Sequence, residues 1–569
     1  MLYNFKIMQL YLIFACSICF TFVIGDEYLL DFPLGRVLGK TRTTITGVTL
    51  YSFQGVPFAE PPVNELRFQA PIPKEPWDGI INGTEERSYC LQMTTDNVDG
   101  DEDCLFINIF SPKDPKLNSK LPVMVYMYGG GFIEGASSDV NIGPDHLMDY
   151  DVVYVTLNYR VGPFGFFSTG DDAIPGNAGL KDQVLAMKFV NKYIQYFGGD
   201  PDKVTIFGQS AGGASVHYHV LSPQSKGLFR AAICESGSSI SAWASQRNQT
   251  EISFRLVEII NPDFVNRKPS SSEVYEYLKT LPATTIDRAA HVIHKMESPS
   301  DNQIQQGFFF APVIEHDHED AFLTQSMYKM LQNGEFNDVK VIIGVNSEES
   351  LFYVTDEKFP NVTIAVDSDN TILVPRSLNA KESDHAAIAQ KIKDFYSPYL
   401  NFTGNWRSLI KYFSDQSFAR SLIKSAELQS RWADVYFYEF QYHGVLGGFT
   451  NDPVIGFSDD CRHGEETSYI LRRNYGGLNT TDLSKYPEID QTVQKRIIRM
   501  WTDFAKYLNP TPEPIDLLQN ITWPTVKPND FQYLAIGAWL EVRKNPKEDM
   551  YRFWEQIFSS YGTEPFTSY

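Results

Sequence analysis

Lys203-Val204-Thr205-Ile206-Phe207-Gly208-Gln209-Ser210-Ala211-Gly212-Gly213-Ala214-Ser215-Val216 reads as a strand, a sharp turn and the opening of a helix. Val204 to Phe207 is β-branched and aromatic, the composition of a buried strand. Glycines on both sides of Ser210 let the chain turn tightly around a strained residue, so that the hydroxyl stands clear of the backbone at the helix N-terminus. The positive end of that helix favours an anion there. Alone the pattern is weak, because the chain has 38 glycines and a serine before a helix is also an ordinary cap.

Around this turn the chain alternates two periodicities. Leu121 to Tyr128, Asp151 to Asn158, Val204 to Phe207, Ala231 to Cys234, Val339 to Ile343 and Asp434 to Glu439 read as strands, and Leu180 to Tyr196 as a helix. That alternation predicts an α/β fold with a large, mostly parallel central sheet and helices on both faces. Shorter strands before residue 60 add an antiparallel edge. Two polar, charge-dense segments, Val265 to Ser300 and Asp356 to Gln390, read as helical or loop excursions over the sheet, of the sort that roof an active site. With no internal repeat and no long linker, residues 26–569 are expected to form one domain.

Acyl transfer from a serine needs donors for the developing oxyanion and a histidine base held by an acid. Tyr128-Gly129-Gly130-Gly131-Phe132 follows a strand, and its side-chain-free residues let backbone N–H groups approach a substrate oxygen. Gly130 and Gly131, with the N–H of Ala211, are the expected oxyanion hole. Ten histidines compete for the base. His217 and His219 sit two apart on one helix and face different sides, which suits packing or surface positions. His316-Asp317-His318 has no third ligand at a telling spacing, so no metal site is expected. His291, His294 and His385 lie in polar surroundings. His463 follows the strand at 434–439 by a long loop, from which a base reaches back across the sheet edge, with His443 as its rival. After the strand at 339–343, Glu348 or Glu349 offers the carboxylate. The resulting order of serine, acid and histidine is that of the α/β-hydrolase fold.

The 569 residues carry 49 Lys plus Arg against 70 Asp plus Glu, and an acidic surface argues against a nucleic-acid partner. Lys6 is the only charge before Asp26, and Ile7 to Val23 is almost wholly apolar, so residues 1–25 read as a signal peptide, with an uncleaved signal anchor as the alternative. Secretion follows, and no other stretch is apolar enough for a membrane anchor. Removal of Cys16 and Cys19 leaves four cysteines, of which Cys90 and Cys104 close a short acidic loop that an oxidising compartment would bridge. Cys234 reads as a buried thiol, and Cys461 stands two residues from His463. Asn82, Asn248, Asn361, Asn401, Asn479 and Asn520 each begin an Asn-x-Thr sequon.

Two segments give the chain a family resemblance. Glu102-Asp103-Cys104-Leu105-Phe106-Ile107-Asn108 and Phe207-Gly208-Gln209-Ser210-Ala211-Gly212-Gly213 resemble the two signatures of type-B carboxylesterases, the group that holds cholinesterases and many insect esterases. The likeness runs from about Asp31 to Trp554, through Gln54 to Ala59, Leu157 to Gly162, Gly179 to Gln183 and Phe197 to Pro201, and is strongest to secreted insect members. It implies that Glu349 is the acid, that Arg160 with Asp182 and Arg67 with Glu102 are ion pairs, that Trp243 belongs to the acyl pocket and that Ser236 supports the histidine. It implies no cofactor.

The chain also departs from that family. Tyr128 stands where His usually precedes the glycines, which implies altered support of the oxyanion loop with its backbone donors kept. The loop from Cys90 to Cys104 has no tryptophan, so the cation-π platform of cholinesterases has no counterpart. Gln209 replaces the common Glu, as in juvenile hormone esterases, yet Asp460 stands where those enzymes commonly carry glycine. The expected activity is hydrolysis of a neutral, apolar small-molecule carboxylic ester through an acyl-enzyme. A hormone esterase like those for juvenile hormone, a lipase or peptidase of the same fold, and a non-catalytic binding ectodomain are the alternatives.

Overall fold

The computed structural model describes residues 26–93, 97–296, 307–356, 358–449, 460–475 and 477–569, so the proposed signal peptide with Cys16 and Cys19 lies outside the described residues. Its centre is a 13-stranded sheet. In chain order the strands are β1 (Glu27–Phe32), β2 (Gly35–Thr43), β3 (Thr49–Pro57), β4 (Ile80–Asn82), β5 (Phe106–Ser111), β6 (Leu121–Met127), β7 (Val153–Leu157), β8 (Gly199–Gln209), β9 (Ala231–Glu235), β10 (Lys340–Asn346), β11 (Val435–Phe440), β12 (Gln532–Ile536) and β13 (Leu540–Lys544).

Across the sheet the order is β1-β2-β3-β5-β7-β6-β8-β9-β10-β11-β12-β13, with β4 beside β2. From β7 to β12 every pairing is parallel. The expected antiparallel edge is β1 to β3, joined through β5, and a second antiparallel pair, β12 with β13, closes the far side. Strands β7, β9 and β11 are buried along their whole length. This explains why Val153-Tyr154-Val155-Thr156-Leu157 shows a nearly continuous apolar run where a one-sided strand would alternate. Helices cover both faces: α1 (Ala178–Tyr193), α2 (Ala211–Leu221, buried throughout) and α3 (Glu488–Tyr507). Val493, Ile497, Met500, Trp501 and Phe504 put one apolar stripe of α3 into the core. The whole is an α/β-hydrolase fold.

Of the two forms expected for the segment Val265 to Ser300, its described part is mainly helical. It forms Ser271–Leu278, opened by a capping box of Ser270 with Glu273, and Ala283–Lys295, while 297–300 lie outside the described residues. It is anchored by Arg67, whose Nη1 donates to the carbonyls of Leu278 and Leu281 at 2.8 and 2.7 Å. Among the described part of Asp356 to Gln390, Phe359–Ser368 is a helix, followed by short 3-10 turns and the start of His385–Tyr396.

Candidate active site

Ser210 sits between the last residue of β8 and the first of α2, with φ 61° and ψ −127°, a conformation that only a tightly constrained turn imposes on a non-glycine residue. Its N–H donates to the Glu235 carbonyl at 2.8 Å. The flanking glycines are forced by contact: a Cβ on Gly208 would lie 2.4 Å, and one on Gly212 1.9 Å, from the Met127 carbonyl at the end of β6. Strand and helix thus close on the neighbouring strand, and the serine is pushed out at the carboxyl edge of the parallel sheet.

The same edge carries the other groups. Glu349 follows β10 and is fully buried. Its Oε1 accepts from Ser236 Oγ at 2.6 Å and from the Asn346 backbone N–H at 2.7 Å, and its Oε2 lies 2.6 Å from His463 Nδ1. The loop is pinned as well, since the His463 N–H donates to the Glu349 carbonyl at 2.9 Å and Asn346 Nδ2 to the Arg462 carbonyl at 2.8 Å. On its other edge the imidazole Nε2 meets the carboxamide of Gln209 at 3.1 Å.

Gly130 and Gly131 take φ values of 112° and 61°. A Cβ on Gly130 would lie 2.2 Å from the Glu134 carbonyl, and one on Gly131 2.9 Å from the Phe308 ring. Among the described residues the N–H groups of Gly130, Gly131 and Ala211 donate to no other group, which leaves all three for a ligand oxygen. Tyr128 supports the loop: its hydroxyl donates to the Tyr159 carbonyl at 2.8 Å, the Tyr159 hydroxyl donates to the Tyr128 carbonyl at 2.7 Å, and the rings stack at 4.3 Å. At the far end of the loop, the Gln92 carboxamide pairs with both the N–H and the carbonyl of Gly135. The bridge from Cys90 to Cys104 thus holds a strap against the oxyanion loop.

Trp243 is buried beside Phe418, Phe308 and Phe132, with ring centroids 5.6, 6.2 and 6.4 Å away, and Phe418 in turn packs 4.8 Å from His463. An aromatic wall therefore runs from the oxyanion loop to the imidazole.

Known proteins resemble this chain in sequence and fold. A sequence model of the Carboxylesterase family matches residues 26–554. The juvenile hormone esterase of Tribolium castaneum is 33% identical over 515 residues, which cover 86% of this chain and 84% of that protein. Esterase FE4 of Myzus persicae is 33% identical over 537 residues, covering 91% and 87%. The crystal structure of juvenile hormone esterase from Manduca sexta with OTFP covalently attached superposes with a TM-score of 0.81 at 28% identity, covering 94% of this chain and 100% of that one. The chain belongs to the carboxylesterase family.

It is a carboxylic ester hydrolase. Within this carboxylesterase the two ion pairs expected from the resemblance are bidentate: Arg160 with Asp182 at 2.8 and 2.7 Å, and Arg67 with Glu102 at 2.7 and 2.6 Å. His217 is a packing residue, bonded to Ser239 and Gln429, and so is His219, bonded to Ser225 and Gln183. Burial pushes these two imidazoles down, to about 4 and about 3. His443, the rival base, lies 2.8 Å from Glu465, whereas the imidazole at Glu349 is that of His463. Cys234 and Cys461 are buried free thiols. Among the described residues no group of three or more His, Cys, Asp or Glu is placed to hold a metal ion. Sequence reasoning did not single out Phe308, Phe418 or the contact of Gln209 with His463, because these residues meet only in three dimensions.

Two further carboxyls lie behind the Glu349–His463 pair. Glu466 accepts from Asn346 Nδ2 at 2.5 Å, and burial, reinforced by the charges of Glu349 and Glu235, lifts it well above the carboxylate range. Burial raises Glu235 to about 7 against the opposing hydrogen bond from the Trp501 indole N–H at 2.7 Å. A carboxyl raised in the folded state costs stability as pH rises. Below about 4.5 both states hold the proton, and from there to about 7 only the unfolded chain releases it. Glu235→Gln keeps an acceptor for Trp501 and has no charge to desolvate. Its stability relative to the wild type is therefore expected to improve between about pH 4.5 and pH 7, by roughly 3 kcal/mol, and to level off above. Melting curves of both proteins across that range check this; a difference that stays constant with pH contradicts it.

Proposed function

We propose that this carboxylesterase cleaves neutral, apolar carboxylic esters through an acyl-enzyme on Ser210, with His463 as the base and Glu349 as its orienting acid. The observation that carries the reading is the imidazole held by a buried carboxylate at Nδ1, next to a serine held at positive φ on the same sheet edge. Ser210 Oγ attacks the ester carbonyl as His463 takes its proton. The oxyanion is met by the N–H groups of Gly130, Gly131 and Ala211. His463 then returns the proton to the leaving alcohol, and water, activated by the same imidazole, releases the carboxylic acid. The wall of Trp243, Phe308 and Phe418 supports an apolar acyl group.

The chain is read as a secreted glycoprotein, with residues 1–25 as signal peptide and 26–569 as one domain. All six sequon asparagines, Asn82, Asn248, Asn361, Asn401, Asn479 and Asn520, are exposed. Among the described residues no helix is long and apolar enough to cross a membrane. A second reading, hydrolysis of juvenile hormone, is favoured by Gln209 and by the resemblance to esterases bearing that name.

The test is hydrolysis of p-nitrophenyl esters of increasing acyl length, with juvenile hormone alongside, by protein collected from the medium of expressing insect cells. Turnover with an optimum beyond acetate supports the apolar reading, and a strong preference for juvenile hormone selects the second. No turnover of any ester by folded protein contradicts both.

A further inference from the structure

Gln209 occupies a position that the reaction as described does not use. The residue is nine-tenths buried, and its carboxamide lies between Gly129 of the oxyanion loop and Gly464, the residue after His463. A Cβ on Gly129 would come within 3.3 Å of Gln209 Oε1, and one on Gly464 within 3.3 Å of Gln209 Nε2, so side chains at either position would crowd the amide. Gln209 Nε2 stands 3.1 Å from His463 Nε2, while among the described residues the Ser210 hydroxyl bonds to no side chain.

We propose that Gln209 is a positioning residue for His463, holding Nε2 of the resting imidazole as a proton acceptor without placing a charge on it. The inference rests on the Ser210–His463–Glu349 reading above. A carboxamide N–H donates only to an unprotonated ring nitrogen, so the bond selects the tautomer with its proton on Nδ1, facing Glu349. That is the form able to accept the Ser210 proton once the amide N–H yields the single lone pair of Nε2. When Nε2 becomes N–H, the amide N–H groups oppose it, and rotation of the carboxamide presents Oε1 as an acceptor. The missing side chains of Gly129 and Gly464 leave room for that rotation. A glutamate here supplies no donor in the resting state and adds a charge that favours the imidazolium.

The charges around the ring are otherwise accounted for. Glu349 faces Nδ1, and Phe418 and Phe352, which pack on the ring, are neutral. On the same loop Arg462 stacks on Phe449, Glu465 faces His443, and Glu466 is bonded to Asn346. Glu235 lies behind Glu466. Position 209 is thus the place from which a single substitution puts a charge directly on Nε2.

The test compares wild type, Gln209→Glu and Gln209→Met by two readouts across pH: kcat/KM for a p-nitrophenyl ester, and the rate at which a neutral organophosphate labels Ser210. For Gln209→Glu, the acid limb of both profiles is expected to move toward higher pH by about one to three pH units. For Gln209→Met, which has neither donor nor charge, the limb is expected to stay in place while kcat falls about three- to tenfold and KM changes little. Profiles for Gln209→Glu that superimpose on the wild type after scaling overturn the proposal, as does a Gln209→Met enzyme with unchanged kcat. Failure of the organophosphate to label Ser210 in the wild type overturns instead the triad reading on which the inference stands.

Discussion

Ser210→Ala is expected to lower kcat by about 10⁶, and His463→Ala, alone or combined with it, to lower kcat by about the same amount. The equality is the informative part. The nucleophile and the base act as one unit: without the imidazole the hydroxyl keeps its proton, and without the hydroxyl the imidazole has nothing to deprotonate. Each single change therefore removes the whole covalent route, and the second removes nothing more. A residual rate of about 10³ over water is expected from the oxyanion donors and substrate binding. The fold is expected to survive, because position 210 already holds its strained backbone through Gly208, Gly212 and the bond to the Glu235 carbonyl. Steady-state kinetics on the three variants, with melting temperatures as a control, check the expectation. Losses that multiply in the double variant contradict it.

The second large effect concerns Glu349→Gln, for which kcat is expected to fall about 10⁴ with little change in KM. The substitution removes a charge without changing shape, so the loss reports on proton placement. Oε1 of Glu349 already accepts from Ser236 Oγ and the Asn346 N–H, so the carboxamide oxygen of a glutamine stays on that side and its NH2 group turns to His463 Nδ1. Nδ1 must then accept, its proton moves to Nε2, and the nitrogen that faces Gln209 and is to take the Ser210 proton no longer acts as a base. A drop of less than tenfold contradicts this role for Glu349. Glu348→Gln, which changes the neighbouring carboxyl but not the partner of Nδ1, is the comparison.

Much of this was legible before any coordinates. The strand–turn–helix around Ser210 is local chemistry, since β-branched residues, glycines at fixed offsets and a small residue after the serine act within one turn. Buried parallel strands announce themselves as continuous apolar runs, so six of the seven strands of the sheet's parallel centre, β6 to β11, are legible in the sequence, with β8 read five residues short at its start, whereas β12 is not. Their ends were less legible. The strand read as Val339 to Ile343 continues to Asn346, and the helix read as Leu180 to Tyr196 spans Ala178–Tyr193. The polar segment after Val265 gave no sign of its docking on Arg67, because that contact joins backbone carbonyls to a side chain some 200 residues away. Choosing between Glu348 and Glu349 needed the family resemblance, since adjacent residues differ only in the direction they face. The clasp of Tyr128 with Tyr159, the wall of Phe308 and Phe418, and the seat of Gln209 on His463 are long-range contacts that no spacing encodes.

The most direct test of the account is to mix the enzyme rapidly with a p-nitrophenyl ester, quench in acid during the burst, and map the acylated peptide by mass. The account predicts one acyl group per chain, on the peptide containing Ser210, and none in Ser210→Ala. Turnover without an adduct, or an adduct on any other residue, would contradict it.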